Sequence, residues 1–345
     1  MKTVKEGAGM EQKKLFVMTK GNYGYAYDLY KHVLEKEGFK LYQLELHARH
    51  NFLLNTYLFH LLFRKYDLIF SWEVSRALLA VFAKYLPLLK NRTKNTKLIT
   101  MYSRICGEAT EAPDHGMLWG EKGSWLEYAP MFESDAIAWN YDCYKELLSY
   151  FPRFPREKFF VVHGGVDTNL YSPDNKMQEP KTIIAISNWF RPRKKVDVLI
   201  KAMKYLPDWK LYVCGEFLQD EYKKECYDLA KNSSNIKFLG FVDNKAERLK
   251  KASVFVIPSE YETGVESINE AMACGCKVLR VEGGGADEFL DKKEILPKGF
   301  DASILSTKIL EVFEDDSLIS KNLEVVKRYS WEAIQKEVET MLGAI

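Results

Sequence analysis

Apolar and polar positions along the chain alternate between two rhythms. Apolar runs of strand length give way to stretches with helical spacing, and the exchange repeats from one end of the sequence to the other. Leu15-Phe-Val-Met-Thr19 opens the series and runs into a turn at Lys20-Gly-Asn-Tyr-Gly24. A helix fits Tyr25 to Glu37, Gly38 stops it, and Leu41-Tyr-Gln-Leu-Glu-Leu46 supplies the next strand. Strands at Asp67 to Ser71 and Lys97 to Met101 follow, with helices over Arg76 to Leu89 and Tyr141 to Ser149. The rhythm restarts at the strand Thr182 to Ser187, followed by a helix over Val196 to Tyr205 and a strand at Lys210 to Cys214. Further strands are expected at Lys237 to Gly240, Val254 to Ile257 and Lys277 to Val281, and Ser267 to Cys274 reads as part of a helix. Such alternation predicts an α/β protein with mostly parallel, doubly wound sheets, helices on both faces and ligands at the carboxyl ends of the strands. A chain of 345 residues exceeds the size at which one core keeps growing, so two domains are expected. Asp167 to Pro180, rich in Asn, Ser, Pro and Asp without periodicity, suits the join.

Composition changes this picture little. A hydrophobic fraction of 47% with 28% charged residues describes an ordinary globular protein, and a net charge of +2 argues against a dedicated nucleic-acid binder. No window reaches the roughly 20 apolar residues of a membrane span. The richest, Phe52 to Leu62, is broken by Asn55 and His60 and followed by Arg64 and Lys65. Residues 1–14 carry lysines without an apolar block, so no secretory leader is expected and the protein is placed in the cytoplasm. The six cysteines form no CxxC pair and read as small buried hydrophobes. Cys274-Gly-Cys276 lacks a second pair of ligands, so no metal site is expected.

Candidate chemistry concentrates in Pro258-Ser-Glu-Tyr-Glu262-Thr-Gly-Val-Glu-Ser-Ile-Asn-Glu270-Ala-Met-Ala-Cys-Gly275. It follows a buried-type strand and turns helical after Thr263-Gly264, which puts Glu262 in a strand–helix loop and Glu270 inside the helix. Free N–H groups at such a helix start attract anions. A carboxylate in the helix can accept hydrogen bonds from two vicinal hydroxyls, as a ribose offers, and one in the loop can do the same for a sugar. By spacing alone these glutamates also suit solvated helix-end charges, and Arg191-Pro-Arg193-Lys194-Lys195 a plain basic loop.

The surrounding pattern resembles the retaining glycosyltransferase family 4, of the GT-B fold. In that family a Ser-Pro strand end precedes a Glu-x7-Glu motif and an Ala-Met-Ala-x-Gly helix. Val161-Val-His-Gly-Gly-Val-Asp167-Thr-Asn-Leu-Tyr-Ser-Pro173 is similar to its interdomain segment, and Ser187-Asn-Trp-Phe-Arg191-Pro-Arg-Lys194 to its donor-phosphate loop. Asn235 to Val242 resembles the strand before its base pocket, Gly283-Gly-Gly-Ala-Asp-Glu288 its glycine-rich loop, and Tyr329-Ser-Trp331 the start of its last helix. The resemblance implies two Rossmann-like domains facing a central cleft. An acceptor-side domain would cover 1–168 and a donor domain 169–324, with a C-terminal helix over 325–345 crossing back onto the first. It implies transfer of a hexose from a UDP- or GDP-sugar, with retention and without a metal, to a hydroxyl of a glycan, a lipid-linked molecule or a small molecule. Arg191 and Lys194 would neutralise the diphosphate leaving group, Glu262 would hold a hydroxyl of the donor sugar and Glu270 the ribose. Gly264, Val265, Phe241, Val242, Gly21 and Gly24 would complete the donor site.

Two departures from the family pattern mark this sequence. The family's glycine three residues after the first glutamate is Val265 here, with Gly264 one place earlier. Many members also carry a histidine after the fourth strand, where Thr100-Met-Tyr102-Ser-Arg104 offers Tyr102 or Arg104 on the acceptor side, with His115 in a nearby loop as a substitute. Helices over Asn51 to Lys65 and Arg76 to Leu89, beside Lys90, Arg92, Lys94 and Lys97, present apolar faces next to positive charge. Those faces suit interdomain packing or a peripheral contact with the inner membrane face near a lipid-linked acceptor. A nucleotide-sugar epimerase of the same fold and a degenerate nucleotide- or glycan-binding module are the competing readings.

Overall fold

A computed structural model describes residues 13–19, 34–36, 38–45, 65–72, 81, 85, 95–102, 132–150, 152–174, 176–260, 262, 266–283 and 285–345. The chain divides into two compact units, Met1–Val162 with Glu337–Ile345, and His163–Lys336.

The first unit holds β1 (Lys13–Thr19), β2 (Phe39–Glu45), β3 (Leu68–Trp72), β4 (Lys97–Tyr102), β5 (Ala136–Trp139) and β6 (Phe159–Val161), with helix α1 at Tyr144–Tyr150. The strands pair in the order β2-β1-β3-β4-β5-β6, every neighbour parallel. The first four lie where hydrophobic patterning puts them, to within two residues at each end. Two strands were absent from that expectation. β5 and β6 have only four and three residues, too short for an apolar run to stand out. Packing defines them instead: Trp139 of β5 stacks on Phe159 of β6, and both join a buried cluster with Ile137, Tyr141, Leu147 and Phe154.

The second unit contains β7 (Thr182–Phe190), β8 (Lys210–Phe217), β9 (Ile236–Gly240), β10 (Val254–Ile257), β11 (Lys277–Val281) and β12 (Ile295–Leu296). Between and after them come α2 (Val196–Ala202), α3 (Asp220–Ala230), α4 (Lys245–Lys251), α5 (Glu266–Ala273), α6 (Ala302–Glu314), α7 (Ser317–Arg328) and α8 (Trp331–Gly343), whose residues from Glu337 onward are grouped with the first unit. The sheet order is β12-β11-β10-β7-β8-β9, again all parallel. β7 and β10 sit in the middle of this sheet. Ile183, Ile184 and Ala185 of β7 and Val254, Phe255 and Val256 of β10 are buried, as strands covered on both faces must be.

Two expectations need correction. The strand at Thr182 does not end at Ser187; it continues to Phe190, with its register against β8 slipping between Ile186 and Trp189. The polar pair Ser187-Asn188 reads as loop but forms this bulge, which bends the strand end instead of ending it. Gly215 of β8 makes room for it: at φ +140°, a Cβ there would lie 1.7 Å from the Ser187 carbonyl oxygen. The helix expected over 325–345 is likewise broken. α7 stops at Arg328 and α8 starts at Trp331, because the backbone between them pairs with Val166. Val166 N–H donates to the Tyr329 carbonyl at 2.8 Å, and Trp331 N–H donates to the Val166 carbonyl at 3.1 Å.

Replacing Gly215 with alanine tests the bulge. The substitution should destabilise the protein by at least about 2 kcal/mol in denaturant unfolding, since it adds a backbone clash and a left-handed strain together. An unchanged midpoint would mean that β8 does not press on the β7 bulge.

Candidate functional site

The order of the second sheet fixes where a ligand can enter. From β7 the chain moves outward through β8 and β9, then returns to the other side of β7 as β10 before moving on to β11 and β12. The connections after β7 and β10 therefore leave in opposite directions along the sheet and open a crevice at their carboxyl ends. A cavity of about 320 Å³ lies there. Its walls come from Ala185 to Arg191 of the β7 end, Val256 to Ser259 of the β10 end, and the side chains of Arg193, Lys194, Lys245, Glu262, Glu266 and Ser267.

The segment after β7 brings its cations to this crevice through a compact turn. Pro192–Lys194 form a short 3-10 helix, and Lys195 follows at φ +49°, a left-handed conformation uncommon outside glycine and asparagine. The turn is stapled to the segment after β10 at three points. Glu260 N–H donates to the Arg193 carbonyl at 2.9 Å, Lys195 pairs with Glu260 at 2.8 Å, and Lys194 pairs with Glu262. Arg191 is buried, and Lys194 and Glu262 keep only 16% and 19% of their side-chain surfaces exposed. Two guanidiniums and one ammonium thus converge on one cavity wall. Glu262 holds the ammonium.

Burial and charge set the ionisation of this pair. Burial pushes the Lys194 ammonium below the ordinary lysine range, Glu262 opposes that, and the Arg193 and Arg191 guanidiniums reinforce it. For Glu262, burial alone would raise the carboxyl, but the Lys194 ammonium outweighs it, helped by Arg193 and a hydrogen bond from Ser259. The net direction for Glu262 is downward, and it stays a carboxylate.

Glu270 is differently placed. It lies inside α5, only 1% exposed, and is not part of the cavity wall. The α5 sequence folds as a helix because Ile268, Ala271 and Met272 are buried on its inner side, and Gly275 at φ +82° ends it one residue after Cys274. Lys245 at the start of α4 pairs with the Glu270 carboxylate. The Tyr171 hydroxyl bonds to the same carboxylate; burial, then the Glu270 charge, pushes that phenol well above its usual range. Sequence reasoning missed both partners. Lys245 carries no local mark, since an isolated lysine at a helix start is unremarkable. Tyr171 carried a faint one, as the aromatic residue between Val166-Asp167 and Pro173.

The expected site residues fall into three groups. Arg191, Lys194 and Glu262 meet at the cavity, and Glu270 sits behind its wall, reached through Lys245. Phe241 is 64% exposed and Val242 half-buried; they follow β9, three strands from β10, and do not line the cavity. Glu216 at the end of β8 accepts a 3.4 Å hydrogen bond from Phe241 N–H and holds that turn. Gly264, Val265, Gly21, Gly24, Arg104 and His115 lie outside the described residues, as does the side chain of Tyr102, whose backbone ends β4. The helices expected over Asn51 to Lys65 and Arg76 to Leu89 also lie almost wholly outside them. Among the described residues, no group of three or more His, Cys, Asp or Glu is placed to share a metal ion, and no helix is long and apolar enough to cross a membrane. The five described cysteines are free thiols and buried.

Comparison with known proteins gives the family and the fold. The family model for glycosyl transferases group 1 matches residues 167–342, about half of the chain. A probable sucrose-phosphate synthase of Thermosipho melanesiensis is 29% identical over 217 residues, covering 56% of this chain and 49% of that protein. The chain spans about half the length of the curated relatives it matches. Among solved structures, Anabaena HepE in complex with UDP-glucose superposes with a TM-score of 0.77 at 15% identity, covering 96% of this chain and 100% of that one. Sucrose-phosphate synthase from Thermosynechococcus elongatus gives 0.75 at 16% identity, covering 96% and 98%. Two Rossmann-like parallel-sheet units with these neighbours make the architecture GT-B.

The Lys194–Glu262 pair can be measured in a double-mutant cycle. Each alanine variant alone should destabilise the protein, and the double variant should fall short of the sum by about 1 to 3 kcal/mol, because a lone buried charge costs more than losing both. Additive effects in denaturant unfolding would show that the two side chains do not interact.

Proposed function

The chain belongs to the glycosyl transferases group 1 family, and on that premise we propose that it transfers a hexose from a nucleotide sugar to an acceptor hydroxyl with retention of anomeric configuration. One observation carries this reading: Lys194, Arg191 and Arg193 converge at the switch point between β7 and β10, where a parallel sheet receives a nucleotide's phosphates. A UDP-sugar is the favoured donor, since the structural neighbour HepE is described in complex with UDP and with UDP-glucose. The alternative donor is GDP-linked.

In this reading the diphosphate enters the crevice and takes over the Lys194 ammonium from Glu262. The bond between the sugar's anomeric carbon and the β-phosphate oxygen breaks, and the acceptor oxygen forms a new bond to that carbon on the same face. The acceptor proton passes to the departing phosphate oxygen. Negative charge on that oxygen grows as the bond breaks, so fixed cations stabilise the transition state more than the ground state. Glu262, released from Lys194, accepts a hydroxyl of the donor sugar. Glu270, aimed by Tyr171 and Lys245, accepts the ribose hydroxyls, and Phe241 with Val242 contacts the base. Lys194 and the two arginines supply the charge that a divalent metal supplies elsewhere. The acceptor hydroxyl belongs to a glycan, a lipid-linked molecule or a small molecule.

Calorimetry against UDP, GDP and their sugars, followed by turnover assays, tests the reading. UDP should bind, Glu270→Ala should weaken binding roughly tenfold through two lost hydrogen bonds, and EDTA should leave turnover unchanged. Absence of nucleotide binding would refute the transferase reading. Binding without turnover would identify a recognition module instead.

The alkaline side of the pH profile tests Lys194 separately. Its ammonium exists below its own pKa, which burial lowers, so kcat/KM should decline at a pH below the ordinary lysine value of about 10.4. Lys194→Arg should be slower but should lose that decline, since a guanidinium stays charged. The same alkaline limb in both proteins would assign it to another group.

A further inference from the structure

Glu262 and Glu270 are not the only glutamates of this site. Glu266 stands one helical turn before Glu270 on the same face of α5 and lines the cavity together with Lys194, Lys245 and Glu262. Its neighbours have counter-charges: among the described residues Glu262 pairs with Lys194 and Glu270 with Lys245, and Glu266 makes no ion pair. Its side chain is held in place by backbone. A Cβ added at Gly164 would come within 2.8 Å of Glu266 Cγ and 2.9 Å of its Cδ and Oε1, so the glycine is the seat against which the side chain packs. Asn269, one turn along the helix, donates to the Gly164 carbonyl at 2.9 Å and locks that seat to α5. Glu266 thus lines a cavity whose other polar groups suit a diphosphate, with its side chain fixed by Gly164.

Resting on the nucleotide-sugar reading above, we propose that Glu266 is a third donor-binding carboxyl, which acts as a neutral acid and donates its O–H to a diphosphate oxygen of the bound nucleotide. An ionised carboxylate there would repel the diphosphate, whereas a protonated one is a hydrogen-bond donor. The surroundings favour the protonated form. Burial raises the Glu266 carboxyl above its ordinary value, and the nearby Glu270 and Glu262 charges push the same way. Its own backbone N–H and the Lys245 ammonium oppose them without reversing the direction. Arg191, Arg193 and Lys194 complete the charged groups on the cavity wall. The sign follows: below its raised pKa Glu266 keeps its proton and helps the nucleotide bind, and as pH rises through that value the hydrogen bond is replaced by repulsion. Donor affinity is thereby coupled to pH through one side chain.

The test is calorimetric titration of the full chain with UDP, and with GDP as a second probe, over a pH series from about 5 to about 9, compared at its lower and upper ends. Wild type, Glu266→Gln and Glu266→Ala are compared. The nucleotide's own titration is common to all three, so only differences between proteins count. Wild type should lose roughly tenfold more affinity between the two pH values than Glu266→Gln, whose amide donates at both. Glu266→Gln should bind more tightly than wild type at the higher pH, and Glu266→Ala should bind less tightly at the lower. A purely structural wedge against Gly164 would instead shift affinity equally at both pH values. Parallel pH profiles for wild type and Glu266→Gln therefore overturn this inference while leaving the donor site standing. Failure of the wild type to bind either nucleotide at both pH values overturns the donor site and the inference together.

Discussion

An ammonium held beside two guanidiniums on the wall of a crevice must be balanced by an anion, and the second unit is organised around that requirement. Removing a charge from water costs several kcal/mol unless a counter-charge sits close and well oriented. Lys194 meets that condition in the ligand-free chain through Glu262, which the turn after β7 and the segment after β10 bring together. The adjacency of β7 and β10 is a consequence of strand order, so the topology of the sheet and the chemistry of the site are one arrangement. In the proposed function a nucleotide diphosphate replaces Glu262 as the counter-charge, and that exchange would free a carboxylate for the sugar in the step that fixes the leaving group.

In the proposed function the remaining site residues support this exchange at increasing depth. Glu270 is too buried to meet a ligand unaided, and its two partners, Lys245 and Tyr171, come from α4 and from the segment that leads into the unit. Gly164, in that same leading segment, seats Glu266 and is held by Asn269. On α5, Glu266 and Asn269 therefore meet Gly164 and Glu270 meets Lys245, while the apolar side anchors the helix in the core. In the proposed function these contacts would hold the site side chains in place and limit the binding energy spent on ordering them.

Hydrophobic patterning located this sheet well where burial is continuous and poorly where it is not. β10 and β11 span the residues that pattern alone selects, Val254 to Ile257 and Lys277 to Val281, because every position in them is buried. β7 reads as ending at Ser187 because the polar pair Ser187-Asn188 interrupts its apolar run before Trp189 and Phe190, and the glycine that allows the bulge lies on β8, 28 residues away in sequence. The single helix expected over 325–345 failed for a similar reason: the break at Tyr329-Ser330 is made by a bridge to Val166, a contact no local pattern announces. Among site residues, the motif-borne Arg191, Lys194, Glu262 and Glu270 were legible. Lys245, Tyr171 and Glu266 were not assigned roles, since each acts through a neighbour distant in sequence or, for Glu266, through a seat at Gly164.

The central claim is that Lys194 exchanges one anion for another at the β7–β10 crevice, and a crystal structure of the protein with UDP or a UDP-sugar bound tests it directly. The account predicts diphosphate density against the carboxyl ends of β7 and β10, with Lys194 Nζ in hydrogen-bond contact with a phosphate oxygen and Glu262 turned from it. Nucleotide bound elsewhere, or bound in the crevice with the Lys194–Glu262 pair intact and no cation on its phosphates, would contradict it.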